Sequence, residues 1–172
     1  MLLDLKEIIE MPGNTIDFDF NMDLSDAVAG SIVRFENLSE VTGQIINRAG
    51  APEFKALLKT GIECVCARCL KEFHSSIEQE IFVYLTEGGE SGDNPDSYVI
   101  SDDMIDAGEI ILTELILNME TTLLCDENCA GLCELCGIDL NENKCECNKQ
   151  IDPRLSILGT LLDNDDTPKD DS

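Results

Sequence analysis

Four cysteines stand close together near the C-terminal end of the chain, in the stretch GLCELCGIDLNENKCEC at residues 131–147. Cys133 and Cys136 have CxxC spacing, and Cys145 and Cys147 have CxC spacing. The residues between them are too polar to give four small hydrophobic side chains a core. Structural zinc takes four tetrahedral ligands, and two thiolates two residues apart can reach one ion. The spacing predicts a zinc site at these four cysteines.

A second group of cysteines precedes that stretch. CARC places Cys66 and Cys69 at the end of a predicted strand, and Cys125 and Cys129 directly precede the first set. The most economical grouping is a second site formed by these four. Two alternatives stay open: Cys125 or Cys129 replaces a CxC member in the first site, or CARC only ends a strand.

Two further residues could be taken for ligands. Cys64 alternates with Ile62 along a predicted strand, so we expect a small buried hydrophobic residue there. His74 is the single histidine of the chain, five residues after Cys69 and within a predicted strand. We expect it to be an ordinary strand residue.

A CxxC pair also serves thiol redox proteins, in which a thiolate of lowered pKa attacks a disulfide. Cys66 and Cys69 are the candidate pair for this alternative, with Arg68 between them. Thioredoxin-like motifs, however, lie at a helix start in a βαβ pattern, which this sequence does not show. A catalytic triad cannot be built around one distant histidine, and the H-x-E motif of zinc deaminases is absent. The sequence therefore disfavours these three kinds of enzyme site.

Composition indicates the class of protein and its compartment. At 172 residues and 43% hydrophobic composition, the chain can form one respectable core. It has no long uncharged apolar run and no small-residue cleavage site near its start. Nine cysteines without an export signal favour metal binding over disulfides, because the cytosol keeps thiols reduced. We expect a soluble, cytoplasmic protein that does not bind membranes.

The chain is strongly acidic, with a formal net charge of −25. Residues 87–127 contain twelve Asp and Glu residues and no Lys or Arg. Because nucleic acid binding relies on basic side chains that release counterions, strong binding to bare nucleic acid is not expected. The charge favours a basic protein partner. The alternative is that the acidity only maintains solubility.

Alternating apolar residues predict the strands. TIDFDFNMDL has the period of a half-buried strand, and further strands are expected in SIVRFENL, EVTGQIIN, EFKALLKTGIECVC and FHSSIEQEIFVYL. Short loops between them favour an antiparallel meander. An acidic loop is expected at residues 87–97, and a helix with a broad apolar stripe at about 102–119.

These elements predict the fold class and the domain boundaries. We expect an α+β protein with an antiparallel, barrel-like sheet of about five strands, a covering helix and a zinc-stapled C-terminal segment. The sheet domain should span residues 1–122 and the cysteine-rich segment residues 123–150. A short helix at 151–162, begun by Asp152 and Pro153, and a disordered acidic tail at 163–172 should follow.

Two blocks of sequence carry a resemblance to a known family. CARCLKEF (residues 66–73) follows a predicted strand, and LCDENCAGLCELCGIDLNENKCECNKQIDPRLSILGTLL (residues 124–162) follows the predicted helix. From about Val41 onward the chain resembles the YceD family of bacterial large ribosomal RNA subunit accumulation proteins. The family's cysteine blocks fall on the eight candidate metal ligands.

The resemblance implies a process. It implies a non-enzymatic cytoplasmic factor needed for accumulation of 23S ribosomal RNA, and hence for biogenesis of the large ribosomal subunit. Joined to the charge, it suggests that an acidic surface engages a basic ribosomal protein or a large-subunit assembly factor. The effect on ribosomal RNA would then be indirect.

Overall fold

The computed structural model describes residues 1–48, 50–87 and 97–147. Strands dominate these ranges, and two helices accompany them. In chain order the elements are β1 (Leu2–Asp4), α1 (Lys6–Glu10), β2 (Thr15–Met22), β3 (Ile32–Phe35), β4 (Ser39–Arg48), β5 (Ala51–Val65), β6 (Glu72–Glu87), β7 (Ser97–Ile100), β8 (Met104–Asp106) and α2 (Ala107–Asn118).

The main sheet is built around the two longest strands, β5 and β6. Its order is β2-β4-β5-β6-β7, and β3 pairs with β5 beyond the end of β4. Neighbouring strands are antiparallel except for β6 and β7, which run parallel with Tyr84 opposite Ser97. Burial alternates along β5 from residue to residue, which is the pattern of a strand with one covered face.

The prediction of a barrel is wrong, because the sheet is open. In a closed barrel the first and last strands pair with each other at a consistent tilt. Here β2 and β7 lie at opposite ends of the strand order, and no pairing joins them within the described residues. β7 has only four residues, and β1 and β8 form a separate two-stranded sheet.

The core lies on one face of the main sheet, under α2. Phe54 and Leu58 of β5 are fully buried there together with Ile111 and Leu115 of α2. The expected covering helix is thus present, but it begins at Ala107 rather than near residue 102. The acidic residues before it form a turn instead, since Asp102 and Asp103 both adopt positive φ angles.

The first ten residues also belong to the core, which sequence patterns did not indicate. β1 pairs with β8, which lies about a hundred residues further along the chain, and Leu3 is opposite Ile105. Leu5 and Ile8 are fully buried. A three-residue strand is too short to show a period of two, so this pairing had no signal in the sequence.

Asp106 caps α2, and replacing it by alanine should lower the free energy of unfolding by about 1 kcal/mol. Its Oδ1 accepts hydrogen bonds from the backbone N–H of Gly108 at 2.9 Å and of Glu109 at 3.4 Å. Urea unfolding measures the loss. Asp19→Ala, which removes an exposed carboxylate from β2, should change the same quantity by less than about 0.5 kcal/mol. Equal losses in both variants would contradict the capping role.

The contribution of Asp106, which comes from the cap and from its 2.7 Å contact with the amino group of Met1, should also depend on pH. The amino group of Met1, followed by the two N–H donors, lowers the pKa of Asp106 against the opposing effect of burial. A lowered pKa stabilises the fold above the usual carboxyl pKa of about 4, and this stabilisation is lost as pH falls through the lower folded-state value. Wild type and Asp106→Ala should therefore converge in stability in acid. A constant difference down to about pH 2 would contradict this.

The chain divides into two compact units, residues 1–129 and 130–172. The expected boundary at residue 122 differs from this division, because Cys125 and Cys129 belong to the first unit. The predicted helix at 151–162, the tail at 163–172 and all but the ends of the acidic loop at 87–97 lie outside the described residues. Within the described ranges, no helix has the length and apolar composition needed to cross a membrane.

Candidate metal centres

The first unit contains a cluster of four thiols contributed by two distant parts of the chain. Cys66, Cys69, Cys125 and Cys129 have Sγ atoms that all lie within 4.8 Å of one another. Cys66 and Cys129 are 3.8 Å apart, and Cys69 and Cys125 are 3.6 Å apart. Three of the four are buried. We call this group the first tetrad.

The turn between β5 and β6 positions the first pair of this tetrad. The N–H of Cys66 donates to the carbonyl of Lys71, and the N–H of Leu70 donates back to the carbonyl of Cys66. Leu70 has a φ of 61°, an unusual conformation for a residue with a side chain. The tight turn brings Cys66 and Cys69 to one side, as a pair of ligands requires.

Two hydrogen bonds join this turn to the segment that carries the second pair. The N–H of Ala67 donates to the carbonyl of Leu123 at 2.9 Å. The guanidinium of Arg68 donates to the carbonyl of Cys129 at 3.0 Å. The sequence placed Arg68 between Cys66 and Cys69, but no sequence signal indicated its bond to this carbonyl.

The protonation of the first tetrad is uneven. Burial alone would raise the pKa of Cys66, but hydrogen bonds from the backbone N–H groups of Cys125, Cys69 and Arg68 outweigh it and lower the pKa to about 6. The Cys69 thiol is the main cause that raises the pKa of Cys125 to about 12. A bound cation would displace the protons of these thiols, because the thiolate is the form that ligates a metal.

The second unit contains the second tetrad, which is local in sequence. Cys133, Cys136, Cys145 and Cys147 also have Sγ atoms within 4.8 Å of one another. The Sγ atom of Cys145 lies 3.3 Å from that of Cys133 and 3.5 Å from that of Cys136. Exposure is greater here, and only Cys133 is buried.

A knuckle-like turn forms the first half of the second tetrad. The N–H of Gly137 donates to the carbonyl of Cys133 at 2.8 Å, and the N–H of Cys133 donates to the carbonyl of Ile138. Gly137 has a φ of 73°, which glycine adopts without steric cost. Hydrogen bonds from the backbone N–H groups of Cys136 and Leu135 lower the pKa of Cys133 to about 6.

The described part of the second unit has almost no hydrophobic core. Within residues 130–147, Cys133 is the only buried hydrophobic side chain, and Leu135 is 61% exposed. Hydrophobic burial is the main favourable contribution to folding, so this segment needs another source of stability. A metal ion held by four thiolates is such a source.

The structure thus groups the eight cysteines as two sets of four, and either set could hold a metal ion. The Sγ atoms of Cys125 and Cys129 lie with those of Cys66 and Cys69 and not with those of the C-terminal set. Cys64 is fully buried beside Ile32 and Ile62, outside both tetrads. His74 lies on β6 and belongs to neither tetrad, and its ring contacts the carboxylate of Glu36.

Comparison with known proteins gives the family. The family model described as large ribosomal RNA subunit accumulation protein YceD matches residues 54–162. The chain belongs to the YceD family. The match includes all eight cysteines of the two tetrads, so both candidate metal centres of this YceD protein lie within the part of the chain that matches the family.

Several curated relatives are similar to it. An uncharacterized protein of Mycobacterium tuberculosis is 29% identical over 101 residues, which cover 56% of this chain and 49% of the relative. Uncharacterized protein YlbN of Bacillus subtilis is 25% identical over 168 residues, 94% of this chain and 96% of the relative. The chloroplastic YCED homolog 1 of Arabidopsis thaliana, named a large ribosomal RNA subunit accumulation protein, is 25% identical over 153 residues.

These alignments differ in extent. The matched region covers about half the length of the mycobacterial and plant relatives, and nearly all of the Bacillus protein. No solved structure matches the chain.

Proposed function

We propose that this YceD protein is a non-enzymatic, cytoplasmic binding factor required for accumulation of 23S ribosomal RNA and so for biogenesis of the large ribosomal subunit. The family match, with its description as a large ribosomal RNA subunit accumulation protein, is the observation that carries the proposal. The arrangement of the thiols is in keeping with a binding factor. Both tetrads offer four sulfur ligands, which suits a closed structural site rather than a catalytic one with an open position.

Zinc is the metal proposed for both tetrads. Four thiolates in tetrahedral arrangement favour zinc or an iron–sulfur cluster, and zinc binds such sets without redox chemistry. An ion in the first tetrad would cross-link the turn after β5 to residues 123–129. An ion in the second tetrad would stabilise the folded state of the second unit. Four thiolates around one Zn²⁺ carry a net charge of about −2, so metal binding leaves the protein acidic.

The proposed partner is a basic ribosomal protein or a large-subunit assembly factor. The net charge of −25 disfavours direct contact with phosphates and favours a partner rich in Lys and Arg. Ribosomal RNA would then respond indirectly, through the protein whose assembly is assisted. Charge complementarity of this kind mainly sets the association rate and the choice of partner.

Affinity purification from cells tests both the process and the partner. At low salt we expect the tagged protein to retain basic ribosomal proteins of the large subunit, and these should be lost as salt rises, since at about 0.15 M exposed charges more than about 8 Å apart are screened. Depletion of the protein should reduce 23S relative to 16S ribosomal RNA. Binding to protein-free ribosomal RNA as tight as to the basic protein would contradict the partner assignment, and unchanged 23S RNA would contradict the process.

A thiol redox protein that uses Cys66 and Cys69 is the second candidate, and the pKa of Cys66 favours it. A thiolate with a pKa of about 6 could attack a disulfide at neutral pH. Against this, the pair lies in a strand-to-strand turn, and each thiol has a neighbour from the other pair within 4 Å. With dithiothreitol as the electron donor, faster reduction of insulin disulfides in the presence of the purified protein, abolished by Cys66→Ser, would favour the redox candidate.

A further inference from the structure

Strand β6 is paired along most of one edge and is largely open along the other. From Glu72 to Tyr84 it pairs with β5 without a register shift. On the other edge β7 pairs with it only from Tyr84 to Glu87. Among the strands of the described ranges, none pairs with residues 73–83 on that side. Backbone N–H and C=O groups of alternate residues along this stretch are therefore available to another strand.

Three devices that block pairing at a sheet edge are absent from this stretch. Proteins block such edges with proline, a β-bulge or a charged side chain that points inward. Residues 73–83 contain no proline, and the regular register excludes a bulge. The side chains on the core face of this stretch include Ser75, Ile77 and Gln79, none of which is charged.

A groove of about 700 Å³ runs along the open edge. One wall is β6 from Ser75 to Phe82, and the other is formed by the C-terminal end of α2 and the residues after it. Gln79 joins the two walls, because its amide nitrogen donates to the carbonyl of Glu114 at 3.0 Å. Ile77, Met119 and Leu123 contribute partly buried apolar surface to the groove.

The groove is also negatively charged. Its lining includes four carboxylates, Glu78, Glu80, Glu114 and Glu120, and no Lys or Arg. Glu78 forms an ion pair with Lys59 at 2.8 Å. Glu114 accepts hydrogen bonds from the uncharged Tyr98 and Asn118 side chains. Each wall of the groove therefore contributes both apolar side chains and carboxylates.

We propose that the open edge of β6 binds an extended segment of a basic protein partner as an added strand. The inference deepens the proposed function, on which the identity of the partner class rests. Main-chain hydrogen bonds would supply affinity, and alternate side chains would supply selectivity. One face of the added strand would meet Ile77, Met119 and Leu123, and the other would meet Glu78 and Glu80. The matching segment alternates apolar residues with Lys or Arg.

Two other occupants of the edge are disfavoured by charge. A second copy of the chain, paired through the same edge, would bring a second row of glutamates beside Glu78 and Glu80. The residues that connect β6 to β7 carry Glu90, Asp93 and Asp96 and no basic residue. A segment rich in Lys and Arg complements the groove, and neither of these does.

A labelled peptide of about eight residues that alternates lysine and valine is a direct probe, since about 3.4 Å per residue lets it span most of the edge. We expect saturable binding to the full chain, with slowed hydrogen exchange at alternate backbone amides of residues 74–82. The matched control is the same peptide with every backbone amide methylated, which removes the N–H donors from both of its edges. It keeps the charge and apolar surface but cannot form the ladder, so it should bind at least about tenfold more weakly.

Charge variants of the protein locate the binding site. Glu80→Lys combined with Glu120→Lys should weaken binding of the peptide by about tenfold or more at low salt. Asp17→Lys combined with Asp19→Lys on β2 changes the net charge equally and should change binding by less than about twofold. Circular dichroism establishes that both variants are folded.

Three outcomes would overturn the inference: equal binding of the methylated peptide, protection that maps away from residues 74–82, or equal effects of the two charge variants. A fourth outcome would also overturn it: a dimer in sedimentation that is formed through β6, together with no binding of the peptide, would show that a second copy occupies the edge. If the edge fails these tests while basic ribosomal proteins still copurify, only the inference is lost. If the peptide binds as expected, but neither a ribosomal protein nor an assembly factor copurifies and depletion leaves 23S RNA unchanged, the proposed function is lost.

Discussion

Cys133→Ser should remove one of two zinc ions and open the second unit to protease, while the first unit stays folded. Ligands of one ion act together, and structural zinc contributes about 10–16 kcal/mol in small zinc-dependent folds. Residues 130–147 have no buried hydrophobic side chain besides Cys133 that could hold them without metal. Elemental analysis measures the zinc, and limited proteolysis with mass spectrometry locates the cuts. We expect cuts after residue 130 and intact β5 and β6.

Cys64→Ala is the matched control for this experiment. It removes a thiol that is fully buried yet belongs to neither tetrad. It should keep the full zinc content and the wild-type protease pattern in the second unit, although it leaves a small cavity beside Ile32 and Ile62. Retention of both zinc ions by Cys133→Ser would contradict the second site, and unfolding of the sheet would contradict the division into two units.

Cys66→Ser and Cys125→Ser should each remove the same zinc ion, so the double substitution should lower the zinc content no further. These residues are 59 positions apart in sequence, yet their thiols belong to one tetrad. Non-additivity of this kind is expected for groups that act on one shared partner. Each change should also lower the unfolding free energy of the first unit, by about 4 kcal/mol if free zinc is a thousandfold above its Kd.

Thermal unfolding alongside zinc analysis separates the metal effect from the loss of a side chain. In a zinc-free buffer with chelator, wild type and both single variants should have closely similar unfolding temperatures. Additive zinc loss in the double variant would contradict the first tetrad. So would a large stability difference that persists after the metal has been removed from all three proteins.

The strands could be predicted because their signal is local. In β2, residues 16, 18, 20 and 22 are apolar and less exposed than their neighbours, and such alternation depends only on which face is covered. Closure of the sheet has no comparable signal, since it depends on strand tilt and on the pairing of distant edges. The parallel pairing of the four-residue β7 was missed for the same reason. The start of α2 at Ala107 was missed because the acidic residues expected to begin the helix form a turn and β8 instead.

The two tetrads also differ in how far the sequence could predict them. The second lies within fifteen residues, 133–147, so spacing alone indicated its four members. The first joins cysteines 56 and 63 residues apart, and only the number of remaining cysteines suggested it. Its geometry depends on the turn after β5 and on the bonds of Ala67 and Arg68 to the distant segment. Neither is visible in the sequence, because both require the sheet to have formed.

Zinc content together with a count of free thiols is the most direct test of whether both tetrads hold zinc. The protein should be purified from cells under reducing conditions, without added metal or chelator, and analysed for metals. Two equivalents of zinc per chain are expected, with only Cys64 of the nine cysteines outside a metal site, so few thiols should react until a chelator is added. Less than half an equivalent of zinc, with all nine thiols reactive or paired as disulfides, would contradict the account.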